Sequence, residues 1–246
     1  MLVGVAAIVG GLWCLWGRRP WRTVVEVNGH VMTAGELRVR GASLLADAKK
    51  TQHLLVPAAR EADALRHYEI KAAQLWIFKT LMLDEAVARN LKATPGEAKE
   101  QVKLMEKRLE GRGMTVDEYF KNGPLPEEVL RREFDESVLL SKLLKQEVED
   151  KIKLDSDEIT KFQAELQKRA MELKKPLKRK IDRKFAIDAM RAQSYREGTK
   201  KFYESLRAKA EVRSPEYPEL ESFQPSAADS IPSLPTPSES QEEEKK

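Results

Sequence analysis

Three histidines, His30, His53 and His67, and one cysteine, Cys14, are the side chains of this chain best suited by pKa to proton transfer or nucleophilic attack. They do not converge on a site. His30 follows Asn28-Gly29 in a turn, and His53 and His67 stand on polar ground around a break between helices, so all three read as surface histidines. Cys14 lies in an apolar run behind the bulky Leu12 and Trp13, which suits a membrane-buried thiol better than a lipid-modified one. One cysteine excludes an internal disulfide, and no Cys/His cluster has metal-ligand spacing, so neither metal nor cofactor is expected. Carboxylates are plentiful, but they sit at helix caps or at i, i+4 from Lys or Arg, where solubility places them. With no triad and no nucleotide loop, catalytic residues are not assigned, and the expectation is a protein that is not an enzyme.

One chemical signal remains in KRAMELKKPLKRKIDRK, residues 168–184. Such basic density attracts phosphates, but Glu172 and Asp182 interrupt it and no aromatic residue is interleaved, so a solvated helix face is expected and no nucleic acid. The charge is uneven along the chain. Residues 165–209 carry fifteen Lys/Arg against six Asp/Glu, whereas residues 213–246 carry three against eight. The overall balance of +4 therefore joins a basic helical region to an acidic tail. A charged fraction of 34% with a mean hydropathy of −0.55 describes a helical body that is not itself a membrane protein.

The elements that would position any site are organised around residues 68–91, YEIKAAQLWIFKTLMLDEAVARNL. Apolar residues leave almost no polar face in its middle turns, so a central helix covered on most sides is predicted. Lys71, Lys79, Asp84 and Glu85 rule against a membrane span there. Before it, residues 23–33 place β-branched residues around Asn28-Gly29 and predict a small hairpin. Thr33 with Glu36, Thr94 with Glu97, and Thr115 with Glu118 have capping-box spacing and predict helices from Ala34, Pro95 and Val116. A long helix follows Pro126, and Asp155 opens another. Met82, Met105, Met114, Met171 and Met190 are mostly expected to fill gaps in the core, with an adaptable surface as their second use. Past Pro176, Leu177, Ile181, Phe185, Ala189, Ala192, Tyr195, Phe202 and Leu206 step at helical intervals and predict a closing helix whose stripe packs on the first and central helices.

The two ends differ in kind. Residues 2–16 are an uncharged apolar run, shorter than the roughly 20 residues of a full span, which reads as a signal anchor or, second, a cleaved signal peptide. Arg18, Arg19 and Arg22 just after it would by the positive-inside rule hold that flank in the cytoplasm. Beyond Val212 the composition is Pro, Ser and Glu, and a disordered tail over residues 213–246 is predicted.

Five segments arrive in a recognisable order: VEVNGHVMTAGEL, DEAVARNLKATPGEAKEQ, GMTVDEYFKNG, PEEVLRREFDESVLLSKLLKQEV and IKLDSDEITKFQ. Together they resemble the N-terminal domain of the SurA and PrsA type of extracytoplasmic foldases, which is similar to the helical part of trigger factor. The resemblance covers residues 25–163 and lies in the order of caps and turns. It implies a mainly α fold, a SurA-N-like helical chaperone domain with a small N-terminal β-hairpin, closed by a long C-terminal helix and a final short strand. In that family a parvulin prolyl-isomerase domain usually intervenes. Here the stretch between Phe162 and Leu177 is too short for one, and no histidine follows His67, so isomerase activity is not carried over.

The domains expected are residues 1–22 as signal anchor or signal peptide, 23–163 as the SurA-N-like domain, 164–212 as a basic helix packing back on it, and 213–246 as the tail. The function expected is an ATP-independent periplasmic or cell-envelope holdase for unfolded secreted or outer-membrane polypeptides, anchored to the inner membrane through residues 2–16. A membrane-anchored envelope adaptor or scaffold gripping one specific partner is the alternative. The sequence does not specify which residues bind a client, and it leaves homodimerisation open.

Overall fold

The computed structural model of this chain describes residues 20–51, 54–110, 113–123, 125–172 and 181–221. Among these the elements run β1 (Thr23–Val27), β2 (His30–Thr33), α1 (Ala34–Thr51), α2 (Glu61–Ala88), α3 (Pro95–Glu110), α4 (Val116–Asn122), α5 (Glu127–Glu147), α6 (Ser156–Glu172), α7 (Arg183–Arg207) and β3 (Val212–Arg213). The protein is mainly helical, with one small antiparallel sheet in the order β2-β1-β3. Two compact units divide it. The first comprises Met1–Asp84, Met114–Glu133 and Lys209–Phe223, and the second Glu85–Gly113, Phe134–Ala208 and Gln224–Lys246.

In the first unit the hairpin forms where Asn28 and Gly29 both take positive φ, at 49° and 86°, the requirement of a type I′ turn. The register pairs Val27 with His30, Glu26 with Val31 and Val25 with Met32, then slips between Thr23 and Val25. That irregularity breaks strict alternation, so adjacent Val24 and Val25 are both buried, with Val27 and Met32. The end of the chain closes this sheet. β3 pairs with β1 through Val27 and Val212, and Asn28 N donates to Glu211 O at 3.0 Å.

The prediction of disorder from Arg213 is corrected as far as Glu221. Ser214 Oγ donates to Val24 O, Ser214 N donates to Glu221 Oε1, and Tyr217 and Leu220 are buried around the turn Pro218–Leu220. Two apolar side chains supply what the average composition conceals. Residues 222–246 lie outside the described residues, as do residues 2–16 with Cys14.

All three predicted capping boxes form. Thr33, Thr94 and Thr115 each accept from the N–H three residues on, and Glu36, Glu97 and Glu118 each accept from the threonine N–H. The central helix begins at Glu61 rather than Tyr68, after the turn Ala58–Arg60, because its first turns are polar and give no period to read. It ends at Ala88, where Asn90 turns left-handed with φ 55°. Its buried residues Ala72, Ala73, Ile77, Thr80, Leu81, Met82 and Ala86 span more than one face, as a covered helix requires, although Val87 is exposed.

The regular secondary structure of the second unit is all helical among its described residues. Its buried aliphatics include Leu109 on α3, Val138, Leu140, Leu143 and Leu144 on α5, Val148 after it, and Ile159 on α6. α7 starts at Arg183, capped by Asp182 Oδ1 accepting from Phe185 N at 2.8 Å, and the predicted start at Leu177 lies outside the described residues. Ala186, Thr199 and Tyr203 are the buried residues of α7, while Phe185, Ala189, Ala192, Tyr195, Phe202 and Leu206 are half-buried and Ile181 just before the helix is buried. Thr199 stands one turn from Tyr195 and Tyr203 one turn from Thr199, so the buried face follows the expected stripe but most of its members are only partly covered. A β-carbon on Gly198 would stand 2.7 Å from Val148 Cγ1, so the helix passes close to Val148 there.

Candidate functional site

Two helical stripes in the first unit leave a cleft between them. On α1, Arg40, Ser43 and Leu44 share a face, and on α2, Ala72, Leu75, Trp76 and Lys79 recur at helical spacing. Gly41 brings these helices close, with its β-position 3.0 Å from both Glu69 Cα and Glu69 N. Tyr119 of α4 and Leu125, Leu130 and Glu133 at and before the start of α5 complete the walls of a cavity of about 220 Å³. Pockets for whole drug-sized molecules run to roughly 300–1,000 Å³. This one suits a few side chains of a longer ligand.

The walls are apolar and one end is ionic. Glu133 Oε1 lies 2.7 Å from Arg40 Nη2 and 3.4 Å from Lys79 Nζ. These side chains are only 21–23% exposed, so their charges are poorly screened. Arg40 Nε and Glu133 Oε1 are buried atoms that make no well-directed hydrogen bond, although Oε1 stays in ion-pair reach of both cations. A peptide group has what both lack, an N–H for the carboxylate and a C=O for the guanidinium. With a single carboxylate in its lining, the cleft offers a binding chemistry; it has no acid and base pair.

The sequence candidates are elsewhere. His30 Nε2 lies 3.0 Å from Asp84 Oδ1 while Asn28 Nδ2 donates to Asp84 Oδ2, so the exposed histidine helps pin the hairpin to α2. His67 is exposed and stacks edge-on against Tyr68, and His53 lies outside the described residues. Burial pushes the Tyr195 and Tyr217 hydroxyls up to about 12, with Glu149 and Glu69 adding to it, so neither is a base at neutral pH. Met82 is buried, Met105 and Met190 are half-buried, and Met114 and Met171 are exposed, which splits the methionines between gap-filling and surface. Of the basic run, Lys168, Arg169, Arg183 and Lys184 are exposed, and residues 173–180 lie outside the described residues.

Sequence reasoning missed Arg40, Lys79 and Glu133. The period of Ala72, Leu75, Trp76 and Lys79 was visible, but nothing local announces that two other helices bring a second cation and a carboxylate to its end. Among the described residues no group of three or more His, Cys, Asp and Glu side chains is placed to hold a metal ion. No described helix is long and apolar enough to cross a membrane. No protein-family model matches the chain, and no curated protein sequence matches it.

Proposed function

We propose that this chain is an ATP-independent chaperone of the SurA and PrsA type, acting in the periplasm or cell envelope as a holdase for unfolded secreted or outer-membrane polypeptides. It is tethered to the inner membrane by residues 2–16 and has no prolyl-isomerase activity. The observation that carries this reading is the cleft of the first unit, apolar along its walls and ending in the Arg40, Glu133 and Lys79 ion cluster, where Arg40 Nε and Glu133 Oε1 make no well-directed hydrogen bond. Apolar walls take side chains of any sequence, and the ionic end takes main-chain groups common to every polypeptide, so recognition is broad and weak. Return of β3 to pair with β1 agrees with the closing strand of that family. Residues 173–182, the stretch between α6 and α7, are too few for a strand-rich isomerase module.

A holdase assay tests the reading. The full chain, equimolar with an unfolded outer-membrane protein, is expected to slow its aggregation, and Leu75→Glu in the cleft is expected to abolish the effect. Leu55→Glu, at a residue 92% exposed, should leave it unchanged. Failure of the unmodified chain to slow aggregation would sink the proposal.

A further inference from the structure

We propose that the face of the first unit bearing Trp21 and Val39 is a membrane-contacting surface, resting against the headgroup layer of a bilayer that contains anionic lipid. The inference rests on the reading of residues 2–16 as a membrane anchor and adds to it a second contact, made by the folded unit itself.

The path of the chain carries the argument. Gly35 N donates to Pro20 O at 2.8 Å and Ala34 N donates to Arg22 O at 2.8 Å, so Pro20, Trp21 and Arg22 are strapped to the first turn of α1. Pro20 also packs on Gly35, whose β-position would stand 3.1 Å from Pro20 Cβ. Residues 17–19 alone separate the apolar run from this strap. At no more than roughly 3.6 Å per residue, four peptide steps reach about 14 Å. The side of the first unit where Pro20 stands is thereby held near whatever surface takes up the run.

That side exposes the side chains an interface would use. Trp21 is 68% exposed, and tryptophan, an apolar body with one N–H, favours the boundary between lipid and water. Val39, 42% exposed, lies one helical turn beyond Gly35. The charges agree with an anionic surface. Arg38 is exposed beside Val39, and Arg18 and Arg19 lie in the connection. Of the neighbouring acids, Glu216 is paired with Arg22 at 2.6 Å, Glu36 is occupied by the Thr33 N–H and hydroxyl, and Glu26 is half-buried.

The chain has one native cysteine, which makes the test direct. The full chain, labelled with an environment-sensitive fluorophore, is reconstituted into vesicles of phosphatidylcholine and phosphatidylglycerol that carry a lipid-borne quencher. Native Cys14 reports the anchor. Val39→Cys in a Cys14→Ser background reports the face, and Leu55→Cys in the same background is the control, about 18 Å or more along the unit from Val39 at 1.5 Å per helical residue. Probes at Cys14 and at the Val39→Cys site are expected to lose most of their emission to the quencher, and the Leu55→Cys probe to keep its own. Quenching at Cys14 but not at the Val39→Cys site overturns the docked face and leaves the anchor standing. Quenching at neither overturns both. Shielding of the Val39→Cys probe without vesicles, rising with protein concentration, assigns the face to a second copy of the chain and also overturns the proposal.

Discussion

The two units are held by different kinds of contact, and their ion clusters show it most clearly. In the second unit Glu147 accepts from Arg89 and from Lys151, Arg89 donates in turn to Glu85 at 2.7 Å, and its guanidinium lies over the Phe202 ring. Lys151 first and Arg89 next hold Glu147 below the usual carboxylate range, and the two glutamates hold Arg89 above its ordinary value. Every charge there is engaged. In the first unit Glu133 has two cations within reach and no well-directed hydrogen bond at Oε1, and the cluster stands at the mouth of a cleft. The second unit satisfies this cluster within its own helices, whereas the first leaves two buried polar atoms, Arg40 Nε and Glu133 Oε1, without a directed hydrogen bond beside a cleft. The first unit is also closed from afar. Arg22 meets Glu216, Ser214 meets Val24 and Tyr217 meets Glu69 across most of the chain length.

The largest expected effect is on that closure. Leu220 is fully buried, so Leu220→Ala should destabilise the first unit by about 2–5 kcal/mol. Hydrogen exchange then separates the units, with the amides of β1 losing protection and those of α5 and α6 keeping it. Equal loss in both would break the distinction. Next in size is a pair of glycines. Gly41→Ala pushes a methyl against the Glu69 main chain, which cannot yield, and should lower stability by about 1–2 kcal/mol even after the helix-propensity gain. Gly198→Ala meets only a methyl of Val148, and its loss should be smaller, read from urea midpoints at unchanged m.

Local rules made much of the fold legible. Asn28-Gly29, the three capping boxes and the Asp155 cap act within four residues, and all formed as read. What failed depends on longer range. Ser214, Tyr217 and Leu220 sit in a stretch whose prolines, serines and glutamates read as disorder, because two buried anchors barely alter an average composition. On α7 the period was legible, since Thr199 and Tyr203 fall on the stripe of Ala192, Tyr195 and Leu206, but how deeply each member is covered depends on the neighbouring helices and was not. The candidate site was least legible. Trp76 and Leu75 announced an apolar face, but Arg40 and Glu133 meet only because separate helices arrive in one register, and no local spacing encodes that.

The smallest effect tests the comparison most sharply. Lys151 is largely exposed, so Glu147→Gln should cost only about 0.5–1 kcal/mol, the range of a screened helix pair. Its pH dependence has a definite sign. The folded state holds Glu147 below its unfolded value, so its contribution is full above about 4.3 and fades as pH falls through the lower folded value. Glu147→Gln and the unmodified chain should therefore differ at neutral pH and converge in acid, with client holding unchanged throughout. Glu133→Gln should instead move client binding: clients dissociate several-fold faster because the cleft keeps two cations and loses the acceptor for a peptide N–H. Stability falls as well, since Arg40 and Lys79 are left poorly screened without their carboxylate. Client dissociation rates measured on both variants decide the matter, since equal rates for Glu147→Gln and Glu133→Gln would mean that the Glu133 cluster has no bearing on what the cleft holds.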